Sequence, residues 1–286
     1  ILSILPRSGP RSGGTKVVLY GSNFVQSGSL ICQFGDVYSK GEYVSNSTMY
    51  CISPSLDSSK TVTLEVSSNG VEYSRSRVRF TFYNELIINS IFPSNGPEHG
   101  GSEVVVSGDN FLRTENILCR IGDSHIVQAE WISRHAIKCK TPASRPGIET
   151  LKVSNNGVDY VNSHVGFNYN GAMHISSVVP SSGTEQGQTK IVVLGTGFKN
   201  SSNLLCRFGN VVVPVVKYFN DTHISCNSPA HVAGDVCVDV SNNGVDFTSD
   251  CVPYQYYEGA VIESLLPQHG PLTGGTVVKI LGRRLN

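Results

Sequence analysis

Eight cysteines are the residues of this 286-residue chain whose chemistry is easiest to predict. Their number is even and none forms C-x-x-C, which favours disulfide bonds over zinc binding or thioredoxin-type redox chemistry. Six of them recur in step, because Cys32, Cys119 and Cys206 are 87 residues apart and each has a partner 19 or 20 residues later. The predicted disulfides are Cys32–Cys51, Cys119–Cys139, Cys206–Cys226 and Cys237–Cys251. Paired cysteines indicate an oxidising compartment; buried free thiols in a cytosolic protein are the alternative.

Three N-x-S/T sequons offer a second covalent chemistry, N-linked glycosylation. Their asparagines are Asn46, Asn200 and Asn220, and all three fall in predicted loops. Asn46 and Asn220 each precede the second cysteine of a pair. In a secreted protein we expect at least one of the three to carry a glycan.

Catalytic and phosphate-binding motifs are absent from the sequence. It contains no nucleophile elbow, P-loop, H-E-x-x-H or complete Rossmann glycine pattern, and Gly195-Thr196-Gly197 is interpreted as a turn. The eight histidines are scattered, and no two have a tight metal-binding spacing. We therefore expect neither an enzyme nor a bound metal or cofactor.

A calcium site at Asp109 and Asn110 is also disfavoured. The same positions one period earlier hold Ser22 and Asn23, so the carboxylates that calcium requires do not recur. Acidic residues do recur just after an Asn-Gly pair, where we interpret them as turn residues; they are Glu72, Asp159 and Asp246.

Charge and hydropathy exclude several classes of partner. The 22 Lys and Arg residues cancel the 22 Asp and Glu residues, and charged residues make up only 15% of the chain. Without a basic excess, non-specific nucleic-acid binding and attraction to anionic membranes lack their driving force. No apolar run has the length of a membrane span. We expect no nucleic-acid partner and no direct membrane contact within this segment.

The elements that must position these residues follow an 87-residue period. Pro-x-x-Gly begins at Pro6, Pro93, Pro180 and Pro267, and a fixed period of this kind indicates copies of one folding unit. The period predicts domains at residues 1–87, 88–174 and 175–260, followed by the incomplete start of a fourth at residues 261–286. We expect the last predicted strand, Thr276–Leu281, to be completed by residues beyond Asn286; strand addition by a neighbouring subunit is the alternative.

Each unit shows short apolar strands separated by Gly and Pro, with no helical periodicity. Thr61–Val66 alternates with period two, Asn69-Gly70 is a hairpin signal, and Val78–Phe82 is the predicted returning strand. By the same reasoning Val245–Val252 is a returning strand, and Cys237 and Cys251 are cross-strand neighbours on one face. The pattern predicts an all-β fold of small sandwiches, with each recurring disulfide joining two strands.

The order of these motifs resembles the IPT/TIG family across essentially the whole chain. The matching stretches are Ile88–Gly101, Gly108–Phe111, Cys206–Gly209, Cys226–Pro229 and Ser241–Asp246. The resemblance implies tandem immunoglobulin-like (E-set/IPT type) β-sandwiches. Members of the family occur in extracellular receptor and adhesion ectodomains and in some intracellular transcription factors. Thr184, Gln188 and Leu285 depart from the usual pattern in loops.

The function expected from these observations is a non-catalytic, extracellular structural or adhesive scaffold. The segment would belong to a longer tandem-repeat protein of the cell surface or of a filament. Short junctions between units predict a rod-like arrangement, with other proteins or copies of itself as partners and glycans attached covalently. One alternative is the ectodomain stalk of a ligand-binding signalling receptor. A third, less favoured because of the charge balance, is an intracellular DNA-binding protein.

Overall fold

The structure, a computed structural model, describes residues 1–285, and within that range it consists only of β-strands, turns and loops. The all-β prediction is confirmed. Asn286, part of the predicted unit 261–286, lies outside the described residues. Among residues 1–285 there is no helix of the length and apolarity that crossing a bilayer would require.

Three successive sets of eight strands repeat the same architecture, and we call them the first, second and third repeats. The first repeat contains β1 (Ser3–Leu5), β2 (Ser8–Pro10), β3 (Lys16–Tyr20), β4 (Ile31–Phe34), β5 (Val37–Ser45), β6 (Thr48–Ile52), β7 (Thr61–Ser67) and β8 (Val78–Tyr83). The second contains β9 (Ile87–Phe92), β10 (Asn95–Pro97), β11 (Glu103–Asp109), β12 (Leu118–Ile121), β13 (His125–Ser133), β14 (Ala136–Lys140), β15 (Gly147–Ser154) and β16 (Gly166–Asn170). The third contains β17 (His174–Val179), β18 (Ser182–Thr184), β19 (Lys190–Thr196), β20 (Leu205–Phe208), β21 (Val211–Asn220), β22 (His223–Asn227), β23 (Gly234–Ser241) and β24 (Val252–Tyr257).

Each repeat is a two-layered sandwich. In the first, β1, β3, β6 and the end of β5 form one layer, while the start of β5, β4, β7, β8 and β2 form the other. The chain changes layer at Pro6: β1 pairs antiparallel with β3, whereas β2 runs parallel to β8. Proline has no amide hydrogen for a sheet ladder, which suits it to this strand switch.

Every repeat has its own apolar core. In the first, alternation along β4 buries Cys32 and Phe34, and Phe34 meets the rings of Phe80 and Phe82 edge-on. The second and third repeats have equivalent clusters around Phe167 and Phe208. The chain divides into two compact units, Ile1–Asn170, which contains the first two repeats, and a second unit that begins at Gly171.

The predicted hairpin of the first repeat is confirmed, because β7 pairs antiparallel with β8, which begins at Val78 as predicted. The connection between the two strands is longer than the short turn that Asn-Gly favours. Ten residues, 68–77, separate β7 from β8, and Asn69-Gly70 lies at the start of that connection. The Glu65 carboxylate holds the rest of it, accepting hydrogen bonds from the Ser74 and Ser76 hydroxyls and from the Arg77 amide. These side-chain bonds replace the strand ladder that a two-residue turn would have started.

The predicted strand Val245–Val252 is wrong, because here too a carboxylate holds the connection as a loop. In the third repeat the returning strand begins only at Val252. Asp239 holds the preceding loop, because its carboxylate accepts hydrogen bonds from the Thr248 hydroxyl and the Cys251 amide. Cys237 lies opposite Pro253, so Cys251 bonds to it from the loop and not from a paired strand.

A two-stranded sheet follows the third repeat. It pairs β25 (Val261–Leu266) with β26 (Lys279–Arg283), and its apolar side chains are largely exposed. The predicted strand Thr276–Leu281 is therefore shifted, because Leu266 pairs with Lys279 and Pro267 ends the partner strand. In the three repeats the start of the equivalent strand pairs with β6, β14 or β22, which have no counterpart here among the described residues.

Candidate functional site: an inter-repeat joint

A turn at the end of β15 supplies half of a joint between the first and second repeats. This Asn-Gly turn, Ser154–Asp159, is folded by two side chains. The Ser154 hydroxyl accepts the Gly157 amide at 2.9 Å, and Asn156 Oδ1 accepts the amides of Val158 and Asp159 at 3.0 and 2.9 Å. Gly157 has a φ of 80°, which favours glycine. The shape of the turn is thus set by hydrogen bonds within it and does not depend on contacts with the first repeat.

The joint itself is a short hydrogen-bonded chain. Asn156 Nδ2 donates to the Ser8 carbonyl at 2.8 Å and to Asp159 Oδ2 at 2.7 Å. The Thr15 hydroxyl donates to the same Asp159 oxygen at 2.7 Å. Thr15 is fully buried and Asn156 is 5% exposed. Asp159 Oδ2 therefore accepts one hydrogen bond from the first repeat, donated by Thr15, and one from its own repeat, donated by Asn156.

The Pro-x-x-Gly motif explains how Thr15 reaches this position. A Cβ on Gly9 would lie 2.1 Å from Thr15 Oγ1 and 3.0 Å from the Phe80 ring. The same close approach to a threonine hydroxyl occurs at Gly183 and Gly270, at 2.4 and 2.3 Å. The recurring glycine is required because no side chain fits between the strand and the threonine.

The opposite side of the joint is built around Glu85 in the linker. Only three residues separate β8 from β9. The Glu85 carboxylate accepts Arg11 Nε and the Ser12 amide, both at 3.1 Å, while its carbonyl accepts Asn110 Nδ2 at 2.8 Å. The pKa of Glu85 is lowered, mainly by the hydrogen bond from its own backbone amide and then by the Arg11 guanidinium. The linker is thus bonded to both repeats.

Arg134 extends this network within the second repeat. It donates to Asp109 Oδ1 at 2.9 Å and to Asn110 Oδ1 at 3.0 Å, and His135 Nδ1 lies 3.3 Å from the same Asp109 oxygen. The Asn110 amide, then Arg134, lower the pKa of Asp109. The bond from Arg134 orients the Asn110 side chain toward the linker. Because the Arg134–Asp109 ion pair is solvent-exposed, it adds little stability.

Apolar burial completes the linker. Tyr83 and Leu86 are 7% and 5% exposed, and Leu86 packs into the core of the second repeat. Burial, followed by the nearby Asp159 carboxylate, raises the pKa of the Tyr83 hydroxyl well above its usual range. Both ends of the three-residue linker are therefore anchored, which opposes free hinge motion within the unit Ile1–Asn170.

The same turn recurs in the first and third repeats. Asn69 Oδ1 accepts the amides of Val71 and Glu72 at 2.9 Å, and Asn243 Oδ1 accepts those of Val245 and Asp246 at 3.0 and 2.8 Å. In the first repeat Val71 is 78% exposed, against 49% for Val158 at the joint. The internal hydrogen bonds of the turn therefore form without the joint.

The structure brings each cysteine to a partner. Cys32–Cys51, Cys119–Cys139 and Cys206–Cys226 connect the two layers of their sandwiches, and these six residues are at most 1% exposed. Cys237–Cys251 joins β23 to the loop before β24, and Cys251 is exposed. Residues 1–285 contain no free cysteine.

All three sequon asparagines reach solvent. Asn46 lies in the turn between β5 and β6, Asn220 ends β21 at the equivalent turn of the third repeat, and Asn200 lies between β19 and β20. In the second repeat Arg134 and His135 occupy this turn. The three asparagines belong to separate surface positions and do not form a common site.

Reactive side chains do not converge anywhere else in the described part of the chain. No group of three His, Cys, Asp or Glu side chains in residues 1–285 has the arrangement of a metal site. Trp131 is half-buried, and its indole donates to the Phe111 carbonyl at 3.1 Å. What the joint can do chemically is hold two sandwiches through hydrogen bonds.

The joint was missed by reasoning from the sequence, which assigned Asp159 to its own turn. Thr15 and Asp159 are separated by 144 residues, so nothing local relates them. A signal did exist: a hydroxyl residue follows each Gly-rich loop, at Thr15, Ser102 and Thr189, in step with the recurring acidic residue.

Comparison with known proteins gives the chain a family. The IPT/TIG domain family matches residues 1–82, 86–169 and 173–256. Human fibrocystin-L is 25% identical over 99% of this chain and 7% of its own length, and human plexin-A2 is 27% identical over 80% of this chain and 13% of its own length. The chain thus spans only a small part of these relatives.

Among solved structures, the extracellular region of plexin A4 is similar, with 21% identity, a TM-score of 0.49 and coverage of 92% of this chain and 24% of that one. The four disulfides are typical of an oxidising environment, and the segment is extracellular. With three consecutive matches that cover most of its length, the chain belongs to the IPT/TIG domain family.

Proposed function

We propose that this chain is a non-catalytic structural and adhesive segment of an extracellular array of IPT/TIG repeats. It sets the spacing and orientation of its neighbours, and it offers its surface to other proteins or to copies of itself. The proposal includes the domain boundaries after residues 87, 174 and 260, a rod-like arrangement, and N-glycosylation at one or more of the three exposed sequons.

The observation that supports this proposal best is the bonded joint. A binding or catalytic module needs a concave site with converging polar groups, whereas the buried Thr15 and Asn156 side chains bond across the joint between repeats. Thr15, Asn156 and Asp159 hold one side of the joint, and Arg11 and Glu85 hold the other. Such a joint resists bending, which is useful when a surface must be held at a fixed distance.

A receptor stalk is the second candidate. The same joint would hold a ligand-binding domain away from a membrane, and similarity to the plexin A4 extracellular region is compatible with that role. The two candidates differ in where partners bind, on the repeats themselves or on a separate domain. DNA binding is the least favoured, because the charges cancel and the cysteines are paired.

Two measurements on the intact chain test the proposal. Small-angle X-ray scattering should give an elongated particle whose profile changes little with ionic strength, because the joint hydrogen bonds are partly buried. Beads coated with the chain should cluster, or should capture a cell-surface protein. A compact or freely hinged particle contradicts the rod, and beads that neither cluster nor bind cells contradict the adhesive role while leaving the stalk.

A further inference from the structure

The Asn-Gly turns of the first two repeats carry a pair of residues that can undergo deamidation without a catalyst. In such a pair the glycine amide nitrogen can attack the asparagine side-chain carbon, because glycine has no side chain to obstruct the approach. At Asn156 a bond would form between the Gly157 nitrogen and Asn156 Cγ, and the bond from Cγ to Nδ2 would break. The glycine amide proton goes to the departing nitrogen, which leaves as ammonia. One water molecule then opens the cyclic imide to aspartate or isoaspartate.

The two turns have the same internal hydrogen bonds. In both, a serine hydroxyl accepts the glycine amide at 2.9 Å. In both, the asparagine side-chain oxygen also accepts the next two amides after the glycine. The glycine amide must leave its serine before it can attack, so the turn itself slows the reaction to a similar degree in the two repeats. Asn69-Gly70 is therefore an internal reference for Asn156-Gly157.

The two turns differ at the nitrogen that must leave. Asn156 Nδ2 donates to the Ser8 carbonyl at 2.8 Å and to Asp159 Oδ2 at 2.7 Å, and Asn156 is 5% exposed. Asn69 is exposed, and within residues 1–285 its Nδ2 makes only a long hydrogen bond of 3.4 Å to Glu72. The bond to Ser8 crosses the joint between the repeats. Asn156 can therefore react only while the joint is open, whereas Asn69 needs only a local opening of its turn.

We propose that Asn156 is a deamidation site protected by the joint, and that its modification keeps the joint open. The product carboxylate has an oxygen in place of Nδ2, facing the Ser8 carbonyl and the Asp159 carboxylate. Two donor–acceptor contacts then become contacts between acceptors, one of them between like charges. The other oxygen still accepts the Val158 and Asp159 amides, so the turn keeps its shape when the product is aspartate. A joint that stays open long enough is thus converted into one that no longer closes.

Peptide mass spectrometry of the intact chain, incubated for increasing times at mildly alkaline pH, measures both deamidation rates. We expect Asn69 to be modified several-fold faster than Asn156. T15V removes the donor on the opposite side of the joint and should raise the Asn156 rate several-fold while the Asn69 rate stays the same. R11A breaks the bond to Glu85 and should act in the same direction. The matched control is T189V, the equivalent change in the third repeat, which should alter neither rate.

The effect on the joint is tested with N156D, which introduces the aspartate product directly. Hydrogen–deuterium exchange of residues 7–15 should be several-fold faster in N156D than in wild type, and N69D, the same change in the first turn, should leave it unchanged. Deamidation of Asn156 as fast as that of Asn69 in the wild-type chain overturns the protection. So does an Asn156 rate that neither T15V nor R11A raises. An N156D joint that exchanges like the wild-type joint overturns the claim that modification keeps it open.

Discussion

Replacing Asp159 with alanine removes the acceptor that two donors of the joint share. Its Oδ2 accepts the Thr15 hydroxyl and the Asn156 side-chain amide, both at 2.7 Å. Thr15 is fully buried, so its hydroxyl has no access to water as a substitute. The lost bonds should favour opening of the joint while leaving both sandwich cores intact.

The size of the effect follows from the Thr15 bond alone, because the bond between Asn156 and Asp159 lies within the turn and is lost in both the docked and the open state. A hydrogen bond to a charged group is worth about 1.5–3 kcal/mol, and Asp159 is only partly buried, so we assign about 2 kcal/mol to this bond. The docked state then loses about 2 kcal/mol relative to the open state, which is roughly a 30-fold change in that equilibrium. T15V should cost less than D159A, and the double variant should cost less than the sum, because the two residues share one bond.

Hydrogen–deuterium exchange measures this opening directly. Peptides covering residues 7–15 and 83–90 border the joint, and the Ser12 amide donates to the Glu85 carboxylate there. Their exchange should accelerate in D159A by up to roughly 30-fold if exchange proceeds through opening. Peptides from residues 190–227 should be unchanged.

The matched control is E72A, which alters the same position of the Asn-Gly turn in the first repeat. Glu72 makes one long contact, from Asn69 Nδ2 at 3.4 Å, within its own turn. Exchange in D159A that stays within twofold of E72A at the joint peptides would refute the assignment of Asp159 to the joint.

Three further perturbations test other parts of the structure. G9A places a methyl group 2.1 Å from the joint threonine and should lower the free energy of unfolding by about 1–3 kcal/mol in urea titrations; G28A, with open space around its Cβ position, should be close to neutral. The pKa of Glu65 is lowered because its hydrogen bonds outweigh burial, which alone would raise it. The stabilising effect of the Glu65 carboxylate is therefore complete above its unfolded-state pKa of about 4.3 and is lost as pH falls through its lower folded-state pKa. E65Q should therefore be less stable than wild type at pH 7, and its free energy of unfolding should fall less between pH 7 and pH 3. Cys237 and Cys251 should be the first pair alkylated after limited treatment with a dithiol, because the other six cysteines are buried; mass spectrometry showing another pair reduced first would contradict this order.

The fold was predictable because its signals are periodic. The 87-residue spacing of the cysteines and of Pro-x-x-Gly marks three copies of one unit, and β7 alternates with period two as predicted. The length of the connections was not predictable. Asn69-Gly70 is typical of a tight hairpin, but the Glu65 carboxylate captures the following residues in a loop. Whether a side chain can do this depends on three-dimensional geometry.

The joint was beyond local sequence reasoning for a different reason. Gly9 and Thr15 look like ordinary loop residues until the distance between them is known, and Asp159 looks like a turn residue until Thr15 is placed beside it. Recurrence indicates that a position matters, and only the contact shows that it matters between repeats.

The central claim is that the first two repeats are held at a fixed orientation by the joint. Residual dipolar couplings of backbone amides in the intact chain, fitted separately for residues 1–83 and 87–170, test it most directly. A rigid joint predicts the same alignment tensor for both repeats in wild type and E72A, and different tensors in D159A. Different magnitudes or axes for the two repeats in the wild-type chain would contradict the account.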